Sequence, residues 1–202
     1  MCRLLKNKDV TEMEMKNIAV FCGSSTGNND VYIEHAETFG KELANNHKTL
    51  IYGGAQVGCM GALADASLQH GGKVIGVIPE KLKAVEIAHD QLTDLHVVQT
   101  MHERKSKMAE LADGFVALPG GSGTLEEWFE AFTWSQLGYH TKPCGLLNVN
   151  HFFDPLISML DHTIEQGFMN KNYRDMIIVS SDPKELLEKM DDYKPNHTVK
   201  WT

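Results

Sequence analysis

From Asn17 onward, short apolar runs alternate with segments whose apolar residues recur at helical spacing. The runs are Ile18–Cys22, Thr49–Tyr52, Lys73–Ile78, Leu95–Gln99, Gly114–Leu118, Cys144–Val149 and Met176–Ser180, each four to six residues long. Their hydrophobicity is continuous rather than alternating, which predicts strands buried on both faces, as in a parallel sheet. Between them, Tyr32, Ile33, Ala36, Phe39, Leu43 and Ala44 form one stripe of a helix lying on that sheet. Leu156, Leu160, Ile164 and Phe168 repeat the stripe after Pro155.

Strand, helix, strand at this cadence means βαβ units. The predicted fold is therefore α/β, a Rossmann-like doubly wound parallel sheet of about seven strands with helices on both faces. No repeat, linker or break in composition divides the chain, so a single domain over residues 1–202 is expected, fraying at about 1–15 and from about 191. In open parallel sheets ligands sit beyond the carboxyl ends of the strands. The loops following the strands are the place to look for chemistry.

The net charge of −8 argues against nucleic acid or an anionic membrane as partner, since either favours a basic face. No stretch reaches the roughly 18 apolar residues of a membrane span, and no signal-peptide core is evident. A cytoplasmic protein is expected. Cys2, Cys22, Cys59 and Cys144 form no CxxC pair, so reduced, mostly buried thiols are expected rather than a disulfide framework. Ten histidines invite a metal, but His102-Glu103 is followed by Arg104-Lys105-Ser106, so HExxH fails and no metal site or cofactor is predicted.

Three loops are rich in small residues: Gly23-Ser24-Ser25-Thr26-Gly27, Gly53-Gly54 through Gly58 and Gly61, and Gly120-Gly121-Ser122-Gly123-Thr124. Glycines let backbone N–H groups approach an anion, and a helix N-terminus adds a favourable field, so a phosphate is the natural guest. Generic nucleotide motifs do not fit. Gly121-Ser122-Gly123 lacks the third glycine of GxGxxG, and Cys59 stands where a Walker loop needs lysine. Thr124 and Glu127 have the spacing of a capping box, with Thr124 as N-cap. Met101, Arg104, Met108 and Leu111 share one helical stripe, with Lys105 beside them. A guanidinium on an apolar stripe is either paired or waiting for an anion.

Pro119–Glu127 (PGGSGTLEE), preceded by Met101-His102-Glu103-Arg104-Lys105 and by Phe21-Cys22-Gly23-Ser24-Ser25, resembles the LONELY GUY (LOG) family. The similarity runs from about Asn17 to Met169 and includes Gly76–Pro79, Thr133-Trp134 through Leu137-Gly138, and Lys142-Pro143. Members often carry a lysine decarboxylase label, yet no pyridoxal-phosphate site is recognisable here. The resemblance implies a homodimeric hydrolase that splits a cytokinin riboside 5′-monophosphate, an N6-modified AMP, into free base and ribose 5-phosphate. It implies Glu127 and Arg104 as catalytic residues. Substrate contacts are expected from Gly23, Ser24, Glu86, Lys105, Gly120, Gly121, Ser122, Gly123, Thr124, Glu126 and Thr133. Ala84-Val85 replaces the family's usual Pro-Arg before Glu86. A general phosphoribohydrolase of AMP and related nucleoside monophosphates and a noncatalytic nucleotide-binding module are the alternative readings.

Overall fold

A computed structural model describes residues 15–83 and 88–195. Seven strands appear: β1 (Asn17–Phe21), β2 (Thr49–Tyr52), β3 (Val74–Pro79), β4 (Asp94–Val98), β5 (Gly114–Ala117), β6 (Cys144–Leu147) and β7 (Ile177–Ser180). The helices are α1 (Val31–Asn45), α2 (Gly58–Gln69), the short α3 (Glu80–Lys83), α4 (Met101–Leu111), α5 (Ser122–Gln136), α6 (Asp154–Glu165) and α7 (Pro183–Asp191). Every predicted run overlaps one strand, with ends within one or two residues. All neighbours pair in parallel, in the order β4-β3-β2-β1-β5-β6-β7.

The chain steps outward from β1 to β4, and α4 then carries it back to β5 on the far side of β1. That reversal creates a topological switch point between β1 and β5, the crevice where doubly wound sheets bind ligands. Phe21 is in register with Ala117, so both strands end at one level. The loops beyond them are tied together by Gly23 N–H donating to the Pro119 carbonyl at 3.1 Å.

Two apolar layers cover the sheet. Ala36, Phe39 and Leu43 of α1, Leu63 of α2 and Leu186 of α7 are buried on one face, while Met108 of α4, Trp128 and Phe132 of α5 and Leu160 of α6 are buried on the other. Two expectations need correction. β4 is only half-buried because it forms the sheet edge, with Val97 exposed. Phe168 leaves the predicted α6 stripe, because Gly167 at φ +78° ends the helix with its N–H donating to the Ile164 carbonyl, and Phe168 is 87% exposed.

The described residues near the two ends are held in place. Buried Lys48 donates from Nζ to the Met15 carbonyl at 2.8 Å and to Asp191 Oδ1 at 2.7 Å. Tyr193 packs against the core. Residues 1–14, with Cys2, and 196–202 lie outside the described residues. Cys22, Cys59 and Cys144 are buried free thiols.

α1 and α2 approach closely at Gly40, where an added Cβ would lie 2.3 Å from the Leu63 carbonyl oxygen. Backbone cannot step aside as a flexible side chain does, so Gly40→Ala is expected to cost about 1–3 kcal/mol by overpacking. Chemical denaturation checks this, and an unchanged midpoint would show that the two helices are not locked there.

Candidate active site

The switch point opens into a cleft of about 320 Å³. Its floor is the loop Gly23–Gly27 after β1 and the loop Pro119–Gly121 after β5, and its wall includes Tyr32, Cys59 and Phe152. α5 starts at this cleft. Its N-cap is Gly121, and no side chain caps that end, so the first amides of the helix lack the usual side-chain acceptor. Open N–H groups and the helix dipole together favour an anion there. Trp128 sets the helix direction: its indole N–H donates to the Gly145 carbonyl at 3.0 Å, and its ring stacks on Phe132.

Thr124 is therefore the third residue of α5 rather than its N-cap, and the expected capping box is not formed. Glu127 lies in the second turn. Thr124 is buried, with Oγ1 packed so tightly against Gly120 that a Cβ on that glycine would approach it to 2.2 Å. Gly121 and Gly123 are different: a Cβ at either would meet nothing within 4 Å, and neither has positive φ. Nothing in the chain's own packing requires glycine at these two positions. Glycine at such positions leaves room for close approach of a ligand.

The glycines of the second loop have other duties. Gly54 and Gly58 take positive φ, Gly61 sits against the Gln56 backbone, and Gly58 sits against Ser24. The Cys59 N–H, in the first turn of α2, donates to the Ser25 carbonyl at 3.4 Å. This loop was predicted as a third phosphate cradle; instead it buttresses the first, because its glycines are consumed by chain packing.

Arg104 comes from the second turn of α4, whose start is fixed by Thr100 Oγ1 accepting from Glu103 N–H at 3.1 Å. The side chain crosses to the end of β2 and is 7% exposed. Its Nη2 lies 3.4 Å from the Gly53 carbonyl and its Nη1 4.0 Å from Met101 Sδ, while Nε has no hydrogen-bond partner among the described residues. Lys105 turns the other way, with Nζ 2.7 Å from Glu126 Oε1 and 3.0 Å from Glu130 Oε1. The hydrogen bond to Glu126 is the larger of the effects raising its pKa. Half-buried Glu127 lies close enough to the end of β1 that its charge adds to burial and to Cys59 in pushing the Cys22 thiol up.

The family model described as "Possible lysine decarboxylase" matches residues 60–190. The cytokinin riboside 5′-monophosphate phosphoribohydrolase of Rhodococcoides fascians is 51% identical over 168 residues, 83% of this chain and 85% of that protein. The chain belongs to the LOG family. An Arabidopsis thaliana LOG enzyme of the same name is 45% identical over 92% of this chain and 87% of its own length. Among solved structures, a molybdenum cofactor binding protein from Rippkaea orientalis superposes with TM-score 0.68 at 22% identity, covering 89% of this chain and 98% of that one. The molybdenum cofactor carrier protein of Chlamydomonas reinhardtii gives 0.64 at 22% identity, over 87% and 99%. These two likenesses show a shared fold.

Of the LOG residues inferred from sequence, the fold brings Gly23, Ser24, Gly120 and Gly121 into one cleft, with Ser122, Gly123 and Thr124 in the first turn of α5 beside it. Lys105 and Glu126 are joined to each other on the α4–α5 surface. Thr133 is exposed about 13 Å further along α5 than Thr124. Glu86 lies outside the described residues. Sequence reasoning missed two wall residues, Tyr32 and Phe152, whose rings meet edge to face at 5.8 Å. Tyr32 had read as core stripe. Phe152 carries no signal beyond following β6, although the turn before it holds Asn150 and His151 at positive φ.

The glycines of the LOG motif separate by test. Gly123→Ala is expected to keep or slightly raise stability, by up to about 1 kcal/mol. It should also weaken ribose 5-phosphate binding about tenfold or more, the equivalent of 1.4 kcal/mol. Gly120→Ala should destabilise the fold itself. Calorimetric titration and thermal melting distinguish these outcomes, and full affinity in Gly123→Ala would remove the anion from α5.

Proposed function

We propose that this chain hydrolyses the N-glycosidic bond of an N6-substituted adenosine 5′-monophosphate, releasing free base and ribose 5-phosphate. The observation that carries the reading is the uncapped, glycine-led start of α5 with a carboxylate in its second turn, in a chain about half identical to a phosphoribohydrolase. The 5′-phosphate rests on the amides of Ser122–Thr124. Glu127 lies about 7 Å further along the helix, on the scale of the reach from a 5′-phosphate to the anomeric carbon. Arg104 rests at the end of β2, two strand spacings or about 10 Å from β5. That separation supports a role for Arg104 at the base rather than at the phosphate.

The chemistry follows from these positions. Breaking C1′–N9 develops positive charge on the sugar, as in glycoside hydrolysis. The Glu127 carboxylate stabilises that charge and accepts a proton from the attacking water, whose oxygen bonds to C1′. The base leaves with the bonding pair, the Arg104 guanidinium stabilises the charge it carries away, and the base takes up one proton from solvent while Glu127 returns to solvent the proton it accepted. Anchoring the unreactive phosphate fixes the sugar against Glu127, so binding remote from the bond lowers the barrier.

We also infer a homodimer in a reducing, cytosolic setting, acting on small molecules rather than nucleic acid or membranes. Support comes from the half-buried Leu125, Phe129 and Trp134 on α5, the exposed Thr133, the free thiols and the net charge of −8. Among the described residues no helix is long and apolar enough to cross a membrane. Sedimentation equilibrium should report twice the 22.6 kDa chain mass; the single value would refute the dimer.

Glu127→Gln is expected to lower turnover of N6-isopentenyl-AMP about 10²–10⁴-fold while leaving ribose 5-phosphate affinity within about twofold. The corresponding nucleoside should not be cleaved. Chromatography of the released base measures both, and wild-type protein that binds the nucleotide without yielding ribose 5-phosphate would leave only a binding module. A clear preference for plain AMP would move the assignment to the unmodified nucleotide.

A further inference from the structure

The buried guanidinium of Arg104 is fixed by contact rather than by its own hydrogen bonds. Its polar contacts are long and its Nε is unpartnered among the described residues, yet it lies so close to Gly53 that a Cβ there would come within 2.1 Å of Nη2. Where the cation sits therefore depends on where the Gly53-Gly54 turn sits. That turn is itself strained toward glycine, with Gly54 at φ +80° and its Cα close against Gly76.

His89 holds the turn. Its backbone N–H donates to the Gly54 carbonyl at 2.9 Å, and Ala55 and Ala88 form an antiparallel bridge beside it. The imidazole is buried and both nitrogens are engaged: Nε2 is 3.0 Å from Asp65 Oδ1 on α2, and Nδ1 is 3.1 Å from the Gln91 amide. A backbone N–H only donates, so Nδ1 is the acceptor and Nε2 carries the hydrogen that Asp65 accepts. The ring thereby joins α2, the turn after β2 and the approach to β4 in one arrangement.

We propose that His89 and Asp65 are positioning residues for Arg104, acting through the Gly53-Gly54 turn to hold the guanidinium at the reaction site. The role rests on the phosphoribohydrolase reading of Arg104, but the linkage can be read without turnover. The chain has three arginines, Arg3, Arg104 and Arg174, so the Nε–H resonances of ¹⁵N-labelled protein are few, and Arg104→Lys assigns the one of interest.

In His89→Ala and Asp65→Ala the Arg104 Nε–H resonance should shift or broaden while that of Arg174 stays. Turnover of N6-isopentenyl-AMP should fall about ten- to a hundredfold, as small misplacements of catalytic groups do. Ribose 5-phosphate affinity, which depends on α5, should change less than about twofold, and in an Arg104→Lys background His89→Ala should add less than about twofold loss. An unmoved resonance in a variant that melts like wild type, or an undiminished loss in the Arg104→Lys background, overturns the proposal. If His89→Ala does not fold, Asp65→Ala, at a half-exposed side chain, decides by the same two measurements. Wild-type protein without turnover would sink the hydrolase reading alone, and the resonance would still decide the linkage.

Discussion

The parallel pairing of β1 with β5 is the constraint on which the site depends. Because the strand order reverses there, the helices that follow these two strands pack on opposite faces, and their starting loops part over a crevice that no element fills. Register then sets the depth of that crevice. Phe21 opposite Ala117 delivers Gly23 and Pro119 at the same height, and the backbone hydrogen bond between them ties the floor together. A slip of one residue would place side chains where amides now meet.

Two kinds of glycine surround that floor. Gly58, Gly61 and Gly120 are glycines because protein atoms crowd them, and Gly121 and Gly123 are glycines with empty space where a side chain would go. Sequence alone does not separate the classes, since both appear as small residues after a strand. This is why the second loop read as a phosphate cradle and proved to be a buttress. It is also why the spacing of PGGSGTLEE, which carries the LOG resemblance, points to the start of α5 more narrowly than glycine content does.

The fold was largely legible because continuous apolar runs and helical stripes report burial, and burial is what a doubly wound sheet imposes. Departures occurred where another force outweighed the pattern. Gly167 ended α6 before Phe168, and the edge position of β4 left Val97 in water. Arg104 was legible as a charge on an apolar stripe, but its resting place on Gly53 depends on a contact 51 residues away in the chain. His89 with Asp65 gave no signal at all, because a buried histidine is recognised by its partners and not by its neighbours in sequence.

The missing cap on α5 has a consequence for how the protein lives in its surroundings. A serine or aspartate at position 121 would satisfy the helix end from within, and it would then compete with any phosphate ester for the same amides. A phosphate ester bound there, as proposed, would tie conformational stability to metabolite supply: at a hundredfold excess over its dissociation constant it would add about 2.7 kcal/mol. Abundance of the folded protein would then track the pool of compounds it processes.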